Sequence, residues 1–246
     1  MSDRDEQSNF RAPPAAADAE LIKPAPMLSR AAWARILPFL VYILFIVVAD
    51  LLGRIGFAAS ELRWLYAVKI VAVVLTLLIF WRQYTELHTL RLSPIWAGMA
   101  VLLGLIVFVL WIKLSSGWLL IGSPEGFDPR TKGQIDWLMV AVRIAGAALV
   151  VPVMEELFWR SFLMRWIDAG DFESVDPATV RWSSLAIVSV LFGFEHNLWF
   201  AGIVAGVAYG LLYMRQRTLW SAILAHAVTN GVLGVWIVRS ANWTYW

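Results

Sequence analysis

The chain has 246 residues, of which 60% are hydrophobic and 15% charged, with a formal net charge of +2. A soluble domain carries charge on about a quarter of its residues, so this composition excludes an ordinary water-soluble domain. The small net charge gives no footprint for nucleic acid, and the absence of cysteine removes disulfides, thiolate catalysis and cysteine-based metal sites together.

Residues 1–30 are polar, rich in Ala and Pro, and carry charges of both signs. They read as a disordered cytoplasmic tail and not as a signal peptide, because no apolar h-region follows the first charges. Apolar runs then recur near the roughly 20 residues needed to cross about 30 Å of hydrocarbon, which predicts an all-α polytopic membrane protein. Fifteen Trp residues, many at the ends of those runs, fit interfacial aromatic belts. Residues 31–134 hold the N-terminal transmembrane helices, expected at Ile36–Phe57, Leu62–Trp81 and Ser93–Lys113. The Gly-, Ser- and Pro-rich run Ser115–Gln134 reads as a loop. Residues 135–246 hold a second bundle. Its helices are expected at Ile135–Trp166 with an interruption at Pro152, then Trp182–His196, Phe200–Tyr213 and Leu219–Val238. That makes seven spans, or eight if the pieces flanking Pro152 act separately. An N-terminus inside puts twelve Lys and Arg residues on the cytoplasmic side and five on the other, as the positive-inside rule favours.

Gly202, Gly206 and Gly210 recur every four residues, so they share one helix face that lets a neighbouring backbone approach closely. No other internal repeat is visible.

The chemistry-bearing residues lie in the second bundle. Glu155 and Glu156 are adjacent in VPVMEELFWR, where each carboxylate near the bilayer centre costs about 2.5–3.5 kcal/mol on insertion scales. Arg160 lies one helical turn from Glu156 and is placed to pair with it, while Glu155 points about 100° away. This suits a division in which Arg160 orients Glu156 and Glu155 faces a cavity as a proton acceptor. An interfacial ion pair with the second Glu snorkelling to headgroups is the competing account. His196 closes LFGFEHNLW with Phe192 one turn before it, and His226 and Asn230 share a face of the last span. Each is also open to a structural account, as an interfacial histidine or an interhelical hydrogen-bonding pair. Lys69, Asp50 and Lys113 read as interface or packing residues, and His88 carries no assigned role.

Glu155-Glu156-Arg160, Phe192-His196 and His226-Asn230, in this order on successive apolar helices, resemble the CAAX-protease and bacteriocin-processing family of intramembrane endopeptidases. The glycine-striped helix is similar to that family as well. The likeness covers about residues 135–240, and a weaker one points to the branch found beside exosortase sorting systems. It implies that residues 135–246 are a catalytic transmembrane core hydrolysing a peptide bond, including one in the C-terminal processing of a membrane-associated or sorted protein. In that family the first Glu and first His activate a water while the second His and the Asn hold the oxyanion. Carried over, Glu155 is the base, His196 stands beside the water, and His226 and Asn230 receive the oxyanion. Glu156, Arg160 and Phe192 are orienting or structural.

No cofactor is implied by this mechanism. A zinc protease with Glu155, His196 and His226 as ligands is an alternative, although no H-E-x-x-H is present. A catalytically silent immunity or transport protein is another, weakened by the lack of an inverted repeat. The expected partners are a peptide or protein substrate, membrane-anchored or not, and the lipid bilayer, with no nucleic acid. The expected location is a bacterial inner membrane with the N-terminus cytoplasmic. The four catalytic candidates should converge on one hydrated cavity in the cytoplasmic half of the bilayer, because polar groups stranded separately in lipid each carry a desolvation cost.

Overall fold

The computed structural model describes residues 28–122 and 126–246, so the expected tail lies outside the described residues except for its last three. Seven helical rods dominate. They are α1 (Arg30–Arg54), α2 (Leu65–Ile79), α3 (Pro94–Lys113), α4 (Trp137–Trp166), α5 (Trp182–Phe194), α6 (Trp199–Gln216) and α7 (Leu219–Ser240). The protein is therefore an all-α helical membrane protein. By length and composition α1, α3, α4 and α7 can cross a bilayer, whereas α2 and α5 are apolar but shorter.

Local chemistry sets the helix starts. The Ser29 hydroxyl accepts from the Ala32 N–H at 3.1 Å, so α1 begins six residues before the expected Ile36. The extra turns are stable because Arg35, which would otherwise call for solvent, is buried in an ion pair with Glu86 at 2.6 Å. Ser93 caps α3, with Pro94 at its first position, and Asp136 caps α4 through the Met139 N–H at 3.1 Å; each side chain satisfies an amide that the helix leaves open. The segment expected as one loop holds a small antiparallel hairpin, β1 (Arg130–Thr131) with β2 (Gln134–Ile135). Lys132 and Gly133 turn between them at φ 53° and 82°, the left-handed pair that a tight two-residue hairpin needs.

Two prolines inside helices do not break them. Pro38 has no N–H for the Ala34 carbonyl, and the buried Tyr84 hydroxyl donates to that carbonyl instead, at 2.8 Å. Pro152, expected to interrupt its stretch, lies in one continuous rod, so the pieces flanking it are not separate spans. The helix widens to a π turn at Gly146–Val150, where the Val151 N–H reaches the Gly146 carbonyl. In that register the donor for the Ala147 carbonyl would be the N–H that Pro152 lacks. A second π segment follows at Leu157–Leu163.

The rods alternate in direction, giving the bundle two distinct ends. At the basic end, Arg35 donates to both oxygens of Glu86 at 3.1 and 2.6 Å. Arg35 and Arg165 both donate to the Ser161 hydroxyl. Asp168 there accepts from Arg181 at 2.9 Å, joining α4 to the start of α5. At the far end the Tyr66 hydroxyl donates to the Arg143 carbonyl at 3.2 Å, the Phe127 N–H to the Trp243 carbonyl, and the Tyr245 hydroxyl to Ser115 at 2.8 Å.

The glycine stripe of α6 faces α5. A methyl group on Gly202 or on Gly206 would come 2.9 Å from the Cα of Gly193 or Ser189, and one on Gly210 would run into Leu185. Two backbones this close draw their attraction from dispersion and shape, since lipid offers no hydrophobic drive between helices.

Candidate active site

Glu155 and Glu156 lie on α4 between its two π segments, both buried, at 4% and 0% exposure. Glu156 Oε1 accepts from Arg160 Nη1 at 3.1 Å and from His226 Nδ1 at 2.9 Å. A carboxylate acceptor at Nδ1 fixes the proton on that nitrogen and leaves Nε2 facing away. His226 Nε2 lies 3.9 Å from Glu155 Oε2, and that oxygen has no hydrogen-bond partner among the described residues. Arg160 Nη2 donates to the Gly206 carbonyl at 3.3 Å, and its guanidinium rests 4.5 Å from the Phe192 ring centre. The pairing of Arg160 with Glu156 thus follows from helix periodicity. The link from Glu156 to His226 crosses 70 residues of chain, and no local spacing signals it.

Phe192 organises the other side. Its carbonyl accepts from His196 Nδ1 at 2.8 Å, so His196 presents Nε2 to its surroundings. Its ring centre is 4.9 Å from that of His196 and 6.1 Å from that of His226. Asn230 Nδ2 donates to the Ala147 carbonyl at 2.9 Å, the acceptor left over by the π turn and Pro152. One N–H of the carboxamide therefore anchors it and the second remains.

Glu155, Phe192, His196, His226 and Asn230 line one cavity of about 280 Å³. Several of its other walls carry no signal in the sequence. Tyr42, Tyr66 and Trp111 come from the N-terminal helices, where isolated aromatics look like ordinary membrane residues. Tyr209 stacks on His226 at 5.0 Å and donates from its hydroxyl to Thr229 at 2.7 Å. Glu195, beside His196 in sequence, accepts from Trp159 Nε1 at 3.1 Å and lines an adjoining cavity of about 540 Å³ that shares Trp111, His196, Tyr245 and Trp246. Among the described residues, no three His, Cys, Asp or Glu side chains are gathered so as to hold a metal ion.

If the basic end is the cytoplasmic one, as the charge bias implies, this cavity lies away from the cytoplasmic half in which it is expected. From Glu155 its lining runs to Tyr66, Arg143, Tyr245 and Trp246, all at the far end of the bundle. The reason is the length of α5. Its 13 residues rise about 20 Å from the basic end, which carries His196 down to the level of Trp111, near the last turn of α3 and 5.2 Å away between ring centres.

The family model described as type II CAAX prenyl endopeptidase, Rce1-like, matches residues 137–232, a range that contains all three motifs. No curated protein and no solved structure matches the chain. The segment from Trp137 to Val232, with the acidic pair, both histidines and Asn230, thus matches the Rce1-like domain of type II CAAX prenyl endopeptidases, a family of membrane proteases.

Proposed function

We propose that residues 135–246 are the catalytic core of an intramembrane endopeptidase that cuts a peptide bond with water activated by Glu155. The observation that supports this reading is the meeting of Glu155 from α4, His196 from the turn after α5, and His226 and Asn230 from α7 on one cavity. Glu155 Oε2, which has no hydrogen-bond partner among the described residues, takes a proton from water as the oxygen attacks the carbonyl carbon. His196 holds that water through Nε2, its Nδ1–H being committed to Phe192. The oxyanion receives the second N–H of Asn230 and, when the ring carries both protons, Nε2–H of His226. Glu155 then returns the proton to the leaving nitrogen. Glu156 and Arg160 act by position: the pair fixes the orientation of His226 and closes its own charge. A zinc-dependent reaction would draw on Glu155, His196 and His226 instead.

The test is cleavage of a quenched-fluorescent peptide library by the purified protein. Glu155→Gln is expected to abolish turnover with its melting temperature retained. Asn230→Ala and His226→Ala should each lower turnover about a hundredfold, the usual cost of losing one oxyanion donor. Activity should survive strong chelators; its loss to them, with rescue by zinc, would establish the metal-dependent mechanism. Full activity in Glu155→Gln would remove the proposed base.

A further inference from the structure

Three arginines buried in the bundle have a carboxylate at hand. Arg35 and Arg165 share Glu86, and Arg160 has Glu156. That is the rule for charges withdrawn from water, which are paired because desolvation is otherwise uncompensated. Arg143 of α4 departs from it. It is half-buried, it lines the cavity that holds Glu155, and among the described residues its neighbours are aromatic and not acidic. Its guanidinium carbon lies 4.8 Å from the Tyr66 ring, 4.3 Å from that of Phe127 and 5.7 Å from that of Trp246. Rings hold a guanidinium by its flat face and leave its N–H edge unspent. That edge is the part of an arginine that binds a carboxylate through two parallel hydrogen bonds. The backbone beneath it is held as well, since the Arg143 carbonyl accepts from the Tyr66 hydroxyl.

We propose that Arg143 is a recognition subsite for a carboxylate on the peptide substrate, either an acidic side chain or the C-terminal carboxylate. Its spacing from the cut rests on the protease reading above. Arg143 and Glu155 are 12 residues apart on one rod, about 18 Å of helix rise. An extended peptide covers that distance in about five residues. The subsite therefore selects peptides whose negative charge lies about five residues from the bond that is cut.

Binding of labelled peptides to the Glu155→Gln protein tests this without turnover. Three peptides of one sequence are compared: one with a free C-terminal carboxylate, one with a C-terminal amide, and an amide bearing one added Asp. Either carboxylate peptide is expected to bind about tenfold more tightly than the plain amide, the gain expected of one charge-assisted contact. Whichever of the two gains identifies the source of the carboxylate. Arg143→Gln should collapse the difference, and Arg143→Glu should move the preference to a Lys-bearing peptide. Equal affinity for all three peptides with Arg143 intact overturns the proposal, and that comparison needs no Arg143 variant to fold. Cleavage by the Glu155→Gln protein would defeat the catalytic assignment instead, while the affinities would still decide the subsite.

Discussion

Glu156 answers two donors, Arg160 and His226, while Glu155 Oε2, beside the cavity, has no hydrogen-bond partner among the described residues. The adjacent carboxylates should therefore respond differently to the same change. Glu156→Gln leaves Arg160 buried without its paired carboxylate, a loss of about 3–5 kcal/mol for a broken buried pair. The expected outcome is a large drop in melting temperature, with weakened turnover as His226 exchanges a charged acceptor for a neutral one. A Glu156→Gln protein as stable as the parent would show that the aromatic faces of Phe192 and Tyr209 suffice to hold Arg160. The division between the two residues was legible in the sequence, because helix periodicity alone separates Glu156 and Arg160 from Glu155. The partner of His226 was not, since it depends on how α7 is rotated against α4.

Pro152 shows how one element sets up another. By withholding an N–H it leaves the Ala147 carbonyl to Asn230, much as Pro38 leaves that of Ala34 to Tyr84. Pro152→Ala supplies the missing donor, and the π turn can then close on itself. We expect turnover to fall while the melting temperature holds or rises, since a backbone hydrogen bond is gained and the carboxamide loses its anchor. Unchanged turnover would mean that Asn230 is held by other contacts. From the sequence alone Pro152 reads as an interruption, because proline in a helix interior ordinarily breaks or kinks it. Nothing in the local sequence shows that the freed carbonyl becomes a side-chain anchor. The glycine stripe was legible as a close-packing face, but only the assembled bundle shows that its neighbour is α5.

The whole bundle is tied at its basic end by Glu86, which joins α1 and α4 through Arg35, Ser161 and Arg165. Burial by itself raises the Glu86 carboxyl, but the Arg35 charge and the hydrogen bonds from Arg35 and Ser161 outweigh it and hold the group below its ordinary value. A carboxyl depressed in the folded state contributes stability above its unfolded value of about 4.3 and loses it as pH falls through the folded value. Melting temperature should therefore fall below about pH 4, and Glu86→Gln should be less stable and lose much of that acid dependence. An acid profile unchanged by Glu86→Gln would place the sensitivity elsewhere. At the opposite end the cavity sets a second expectation. With the N-terminus cytoplasmic, as the charge bias implies, Tyr245 and the cavity face the non-cytoplasmic side. The chain has no cysteine, so Tyr245→Cys and Arg217→Cys report cleanly on opposite ends. An impermeant maleimide should label the first in right-side-out vesicles and the second only in inverted ones. The reverse pattern would turn the bundle over in the membrane.

What the sequence determined by itself was whatever depends on short range and composition: the lipid solvent, the helical class, the close-packing stripe, and the three motifs that carry the family. Each follows from hydropathy or from spacing along one helix. The tertiary structure alone decided towards which end of the bundle the cavity extends, which aromatic residues of the N-terminal helices wall it, and that Arg143 reaches the same cavity as Glu155. Those depend on the rotation and depth of helices far apart in the chain. In α5 a rod of 13 residues stops part-way through the bundle and leaves His196 where only neighbouring helices can define its surroundings.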